Sequence, residues 1–228
     1  MIDIFFTFFE NPLEQNLFSD YLSVLSPELK EKNSRYIRWQ NRHSHLFGKL
    51  LLIEALKRHG IENDIWNYVE YNSYDRPYLT LNEYDFNITH SGNYVACAIG
   101  KNIRLGIDIE ENRDVNLKHF DTVMTPSQWN KIYNANYPLK EFFKYWTIKE
   151  SVIKADGRGF AIPLDKLEVK NNTVQYDDKS WLVQELKIGS NYSAALATNQ
   201  LTEFKIHEIN YYHNDTNRHV IPQLERQF

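Results

Sequence analysis

Trp146-Thr-Ile-Lys-Glu-Ser-Val-Ile-Lys154, taken together with Gly106-Ile-Asp-Ile-Glu110 about forty residues earlier, decides how this chain is read. In the earlier segment β-branched Ile107 and Ile109 alternate with Asp108 and Glu110, which is the period of a strand, so the two carboxylates leave the same face. Acids roughly 7 Å apart along one strand face repel each other unless something positive lies between them, and a hard divalent cation held by oxygens is one answer. The later segment has helical spacing, which sets Trp146, Glu150 and Lys154 at i, i+4 and i+8 on one side. Glu150 is therefore a third candidate oxygen ligand. Lys149 and Lys154 beside three carboxylates suit a substrate with a metal-chelating pyrophosphate and further negative charge, the setting of phosphoryl transfer. Taken singly, an Asp-Ile-Glu triplet or a Lys-Glu pair reads as solvated surface, the usual fate of charged side chains. Only the combination points to a site.

Length and charge narrow the classes. The 228 residues can bury a sizeable core, either as one large domain or as two halves. No apolar run is long enough to span a membrane, and the start, Met1-Ile-Asp-Ile-Phe-Phe, lacks the basic region and cleavage site of a signal peptide, so no membrane association is expected. A single cysteine, Cys97, excludes an internal disulfide and points to the cytoplasm. Lys plus Arg total 26 against 30 Asp plus Glu, a formal net charge of −4, so no global field favours nucleic acid and any polyanion must be bound locally.

Outward from the two segments, the chain reads as α+β. Ile2 to Phe9 is a strand and Glu14 to Leu25 a helix. Ser26-Pro27-Glu28 opens another helix with Ser as N-cap. Asn41 to Arg58 carries a wide apolar stripe (Leu46, Phe47, Leu50, Leu51, Ile53, Ala55) and is closed by Gly60. Phe86 to Thr89 and Tyr94 to Ile99 are strands, Asn116 to Asn134 is helical with a break at Thr125-Pro126, and Leu139 to Ala155 is one helix ended by Gly157. His43 and His45 diverge on a helix and do not chelate one metal. The polar tail after Asn210 is expected to be poorly tethered. Ser91 to Gly100 echoes Gly189 to Thr198, a weak sign of duplication. It fits two similar α+β halves forming a pseudo-dimer, residues 1–103 and 104–228, each with a long helix and an antiparallel sheet, and an active site at their interface.

The two opening segments, in their order and spacing, resemble the signature motifs of the 4′-phosphopantetheinyl transferases of the Sfp type: G-I-D-I-E, then W-x-x-K-E-S-x-x-K. Phe86-Asn-Ile-Thr-His-Ser-Gly92 is similar to that family's F-N-[IL]-S-H-[ST], which implies coenzyme A contacts for Thr89 and His90. Ser26-Pro-Glu with Lys32, Arg35 and Gly48 looks like its amino-terminal segment, whose basic side chains reach the 3′-phosphate. Arg76-Pro77 stands where the family has Lys-Pro beside the adenine, and Gly157-Arg-Gly159 with Pro163-Leu164 matches the stretch after its catalytic helix. The resemblance implies Mg²⁺ on Asp108, Glu110 and Glu150, with Lys149 and Lys154 on the pyrophosphate. Three positions depart from the pattern. Leu29 and Ser44 replace basic residues, shifting the 3′-phosphate to Lys32 or Arg42, and Gln128 replaces a frequent glutamate.

The implied reaction moves the 4′-phosphopantetheine arm of coenzyme A to a serine of an acyl or peptidyl carrier protein, as in nonribosomal peptide, polyketide or fatty acid biosynthesis, and releases adenosine 3′,5′-bisphosphate. Glu150 or a metal-bound water takes the serine proton, and a monomer is expected. A metal-dependent nuclease or phosphodiesterase would use the same carboxylates, but the absence of a basic stripe counts against it. A non-catalytic carrier-binding relative is the other alternative. Val115, Phe120 and Met124, with Lys118 and Lys131, are either a docking patch for an acidic carrier or plain core.

Overall fold

A computed structural model describes residues 1–62, 65–81 and 83–212, together with the backbone of Ile221–Pro222. The strands are β1 (Ile2–Phe8), β2 (Val69–Tyr71), β3 (Pro77–Leu79), β4 (Tyr84–Ser91), β5 (Tyr94–Lys101), β6 (Leu105–Glu111), β7 (Val169–Lys170), β8 (Thr173–Tyr176), β9 (Lys179–Leu186), β10 (Tyr192–Thr198), β11 (Phe204–Glu208) and β12 (Ile221–Pro222). The helices are α1 (Gln15–Ser23), α2 (Pro27–Ser34), α3 (Trp39–Arg58), α4 (Pro126–Tyr133) and α5 (Pro138–Asp156). Short 3₁₀ turns link them.

Two five-stranded sheets run β12-β11-β1-β5-β4 and β6-β10-β9-β8-β7, and β2 and β3 form a separate ribbon. The second sheet is antiparallel throughout, and the first is antiparallel except where β11 runs parallel to β1. The two echoing stretches become β5 and β10, each the middle of three adjacent strands, and their Tyr94 and Tyr192 rings lie 4.5 Å apart. The expected halves are also laced together, because β11 of the second lies in the sheet of the first.

Alternation along the strands sorts the core into layers. Phe5, Phe86, Val95, Cys97 and Ile99 face the apolar stripe of α3. The opposite side of that sheet, Ile2, Ile4, Ala96 and Ala98, meets Leu105, Ile107, Ile109, Ala194 and Leu196 of the second sheet. The far side of the second sheet, Ala195, Ala197, Val183 and Trp181, packs on Ile148, Val152 and Ala155 of α5. The order is helix, sheet, sheet, helix. In β6 the odd positions fill the inter-sheet core and the even ones, Gly106, Asp108 and Glu110, turn to the helix.

The sheets also meet through polar groups. β6 is an edge strand, and its outward N–H groups would be orphaned by burial. Side chains of β4 accept them in a parallel series: Leu105 N–H to Asp85 Oδ2 (3.0 Å), Ile107 to Asn87 Oδ1 (3.0 Å), Ile109 to Thr89 Oγ1 (3.3 Å) and Glu111 to Ser91 Oγ (3.1 Å). All four acceptors are alternate residues on one face of β4, so a single register satisfies the whole edge.

Helix ends follow the expected chemistry. The Ser26 side chain accepts from Leu29 N–H, Thr125 and Gln128 form a capping box, and Gly157 closes α5 with φ +93°. The tail is better held at its start than expected: Tyr211 is buried and stacks on Phe47 with centroids 5.2 Å apart. Residues 213–220 and 223–228, where the rest of the expected loose tail falls, lie outside the described residues. Among the described residues no helix is long and apolar enough to cross a membrane.

Gly106 sets how closely α5 approaches β6. A Cβ there would stand 2.1 Å from Ser151 O and 2.4 Å from Ala155 N, both helix backbone atoms that cannot rotate away. Gly106→Ala should therefore lose about 1–3 kcal/mol or more in denaturant unfolding, and should lower activity further by displacing Glu150 and Lys154. Wild-type stability in this variant would refute the close approach.

Candidate active site

Three acids and a lysine converge where α5 crosses β6. Asp108 is buried, and its Oδ1 accepts from Lys154 Nζ at 2.5 Å and from the Thr89 hydroxyl at 3.0 Å. Lys154 also reaches Thr89 Oγ1 (3.2 Å) and the Ile107 carbonyl (3.4 Å). Glu110, one strand pair along, accepts from Ser91 Oγ at 2.7 Å. Glu150 is buried on the facing side of the helix. The hydroxyls of Thr89 and Ser91 each have two tasks: they accept a β6 N–H and turn their own proton onto an acid of β6.

All three carboxyls are pushed up from the usual carboxylate range, first by burial. Asp108 rises despite the Lys154 ammonium, Glu110 rises despite Ser91, and Glu150, with Asp108 as its next-largest influence, reaches about 7. Among the described residues no three His, Cys, Asp or Glu side chains are gathered into a ready metal cage. Asp108 Oδ2 and Glu150 Oε1 are nonetheless buried without a hydrogen-bond partner. Buried acceptors are normally satisfied, so two orphaned carboxylate oxygens beside a third acid fit a hard cation held by oxygens. Lys154 supplies one positive charge but reaches only Asp108 Oδ1.

Several expected contacts fall elsewhere. Lys149 does not face the acids. It is fully buried, and its ammonium donates to the Val123 and Leu164 carbonyls, each at 2.8 Å, with burial lowering its pKa to about 7. The expectation that it grips a pyrophosphate is corrected: neighbours on a helix point about 100° apart, and the Lys149 ammonium is taken up by the Val123 and Leu164 carbonyls, away from the acids. Thr89 is buried in the inter-sheet series rather than presented to a ligand, whereas His90, on the opposite face of β4, is exposed. Its pKa is lowered, first by partial desolvation of the ring among neighbouring groups although much of the residue's surface is open, and then by Lys154. Arg76 is buried against Asp85, and Pro77 begins β3 beside it. Lys32 is exposed, and the Arg42 guanidinium lies 5.2 Å from the Phe18 ring centre.

Sequence reasoning missed two basic residues that stand near His90 and Lys32. His45, lowered to about 4 by burial and then by Lys49, Lys32 and His90, and Lys49, lowered by burial and then by Lys32, stand within electrostatic range of those residues. Their spacing at i and i+4 on α3 was the available signal. His43 serves structure: its Nε2 accepts from Leu13 N–H at 2.9 Å, so Nδ1 donates to the Trp39 carbonyl at 2.8 Å. Gln128 ties α4 to the Leu167 carbonyl at 3.1 Å and has no part in the acid cluster. In the patch after β6, Met124 is buried, and Val115 and Phe120 pack beside it with Ile132 and Phe142, so the apolar residues are core while Lys118 and Lys131 are exposed.

A family model described as the 4′-phosphopantetheinyl transferase superfamily matches residues 104–206, which include β6 and α5. The 4′-phosphopantetheinyl transferase gsp of Aneurinibacillus migulanus is 32% identical over 77% of this chain and 74% of its own length. The 4′-phosphopantetheinyl transferase Sfp of Bacillus subtilis is 28% identical over 73% and 75%. A weak structural likeness, TM-score 0.35 at 17% identity over 47% of this chain and 67% of the other, to holo-(acyl-carrier-protein) synthase of Thermotoga maritima adds nothing to the assignment. On the match to gsp across three quarters of both sequences, the chain belongs to the 4′-phosphopantetheinyl transferase superfamily, enzymes that transfer phosphopantetheine to carrier proteins.

Proposed function

We propose that this protein transfers the 4′-phosphopantetheine arm from coenzyme A to a serine of an acyl or peptidyl carrier protein, with Mg²⁺, and releases adenosine 3′,5′-bisphosphate. The observation that carries the reading is the acid cluster with two buried, unpartnered carboxylate oxygens beside Lys154. Asp108, Glu110 and Glu150 would hold Mg²⁺, which when bound supplies positive charge to the pyrophosphate. The serine oxygen forms a bond to the phosphorus that carries pantetheine as the bridging P–O bond breaks, and the bisphosphate departs with that electron pair.

The chain's own groups divide the remaining work. Glu150, or a water on the metal it would help to hold, would take the serine proton. Lys154 holds its ammonium at the edge of the acid cluster, where it can offset charge developing on the leaving oxygen. Lys32, Lys49 and Arg42 would supply positive charge for the further phosphate of coenzyme A, and His90 and His45, whose pKa values are lowered, would serve it as neutral hydrogen-bonding groups. Lys118 and Lys131 remain available to steer an acidic carrier. A cytoplasmic setting is part of the same proposal, supported by one cysteine, Cys97, that is free and buried.

The direct test is to incubate the protein with a carrier protein, coenzyme A and Mg²⁺ and to weigh the carrier by mass spectrometry. A carrier that gains no phosphopantetheine would sink the proposal. Asp108→Ala should cut transfer by about a hundredfold or more while the protein stays folded, and near-wild-type transfer would remove Asp108 from the site.

Glu150 makes a second prediction, in metal-free protein. Its folded pKa of about 7 lies above its ordinary 4.5, so between those values the folded state binds the extra proton. The stability it contributes is complete below 4.5 and is lost as pH rises through about 7. Glu150→Gln stays neutral, so its stability relative to wild type in denaturant titrations should improve steadily across that window. Mg²⁺ should then stabilise the wild type at pH 8 more than the variant. A stability difference that is flat with pH, or equal Mg²⁺ effects, would dismiss the assignment.

A further inference from the structure

The last turn of α5 carries Lys154 and follows Glu150, and its carbonyls need partners that the helix cannot supply. Only the Ile153 carbonyl is met from the helix's own end, by Gly157 N–H at 3.0 Å. Arg76 Nε donates to Lys154 O at 2.7 Å, Arg104 Nη2 to Ala155 O at 3.3 Å, and Asn72 Nδ2 to Gly157 O at 3.0 Å. Asn72 and Arg76 come from the first half of the chain, and Arg104 from the link between β5 and β6. Two cations thus sit at the negative end of the helix dipole.

Arg76 is itself held from every side. Its Nη2 donates to both Asp85 oxygens at 2.9 Å and to the Leu105 carbonyl at 3.1 Å. Asp85 in turn accepts Leu105 N–H at 3.0 Å, the first rung of the series between β4 and β6. Asn72 Oδ1 accepts the N–H groups of Tyr74 and Arg76, each at 2.9 Å, in a turn that aims the arginine. Arg76 therefore joins β4, the start of β6 and the end of α5. Five protein oxygens accept from its guanidinium, the Pro77 carbonyl from Nη1 at 3.4 Å among them, and the side chain is almost wholly buried, which leaves little of it open to a nucleotide.

We propose that Asn72, Arg76 and Arg104 form a helix cap supplied from outside the helix, with Arg76 as the positioning residue that fixes Lys154 and Glu150 against Asp108. The proposal rests on the transferase reading for its kinetic arm only. It replaces the expectation that Arg76 binds coenzyme A. Lys154 is the pivot: its backbone carbonyl is fixed by Arg76 while its ammonium reaches Asp108. Releasing the carbonyl lets the ammonium and Glu150 drift, and displacements of about 1 Å at reacting groups can lower rates by about a hundredfold.

The test is Arg76→Lys in the full chain, which keeps the charge beside Asp85 but lacks the planar fork needed to reach Lys154 and Leu105 at once. Hydrogen–deuterium exchange of the peptide covering residues 150–157, measured without substrate, should speed up. With carrier and coenzyme A, kcat should fall about tenfold or more, with KM for coenzyme A within about twofold of wild type. A raised KM at unchanged kcat would make Arg76 a ligand contact and overturn the proposal. Unchanged exchange, or a lower melting temperature with unchanged kcat, would overturn it too. Should Arg76→Lys not fold, Asn72→Ala, which removes the aiming turn and the Gly157 partner, is read by the same outcomes. If the wild type itself transfers nothing, the transferase reading fails, while the exchange measurement still decides the cap.

Discussion

Four N–H groups on the free edge of β6 must be satisfied inside the protein, and the fold depends on how β4 does so. An unpaired buried N–H costs about 1–3 kcal/mol, whereas a satisfied one contributes about 0.5–1.5 kcal/mol net. Leaving the edge bare would therefore erase much of the stability of a domain whose total is about 5–15 kcal/mol. A further backbone strand on that edge would have made one continuous sheet. Side chains do the job instead, so β6 can stand on the face of β4, and the protein stacks its sheets with a helix on each outer side. Slipping β4 by one residue would present Phe86 and Ile88 to the edge and leave the donors opposite them unmet, so the register is fixed.

That constraint also builds the site. Thr89 and Ser91 can accept from β6 because they carry hydroxyls, and a hydroxyl that accepts still has a proton to give. The protons go to Asp108 and Glu110. Orientation of Asp108 and Glu110 is thus tied to docking of the sheets, while Gly106 admits α5 closely enough to bring the third acid and Lys154 into reach. The halves cannot separate slightly without disturbing the carboxylates.

What was legible in the sequence had a strong local period. β6 alternated cleanly, and α3 and α5 had stripes and glycine ends, so the elements that matter most were readable. The hairpins from β7 to β9 were not read, although Asn171, Asn172 and Asp177 adopt positive φ at their turns, a conformation these residues tolerate. The site was legible for Asp108, Glu110, Glu150 and Lys154, which share facing surfaces. It failed where motif adjacency was taken as shared direction: Lys149 beside Glu150, and Thr89 beside His90, are neighbours in sequence that point apart. In both cases the period of the element held the correction before any contact was known.

Arg76 marks a different limit. Its partners are Asp85, the carbonyl of Leu105 and the carbonyl of Lys154, and backbone acceptors leave no trace in side-chain pattern. An arginine beside a nucleotide-type motif is naturally taken for a phosphate ligand, yet burial changes the argument. Removing a guanidinium from water is tolerable only when its donors are largely met, and here five protein oxygens accept from it before any ligand arrives. The exposed or half-buried bases His90, Lys32 and Arg42 keep donors available, and Arg42 Nε has no partner at all. The two groups of basic residues therefore divide by what already surrounds them. Buried Arg76 is engaged by protein oxygens at the end of α5, whereas Lys32 and Arg42 keep surface open to solvent.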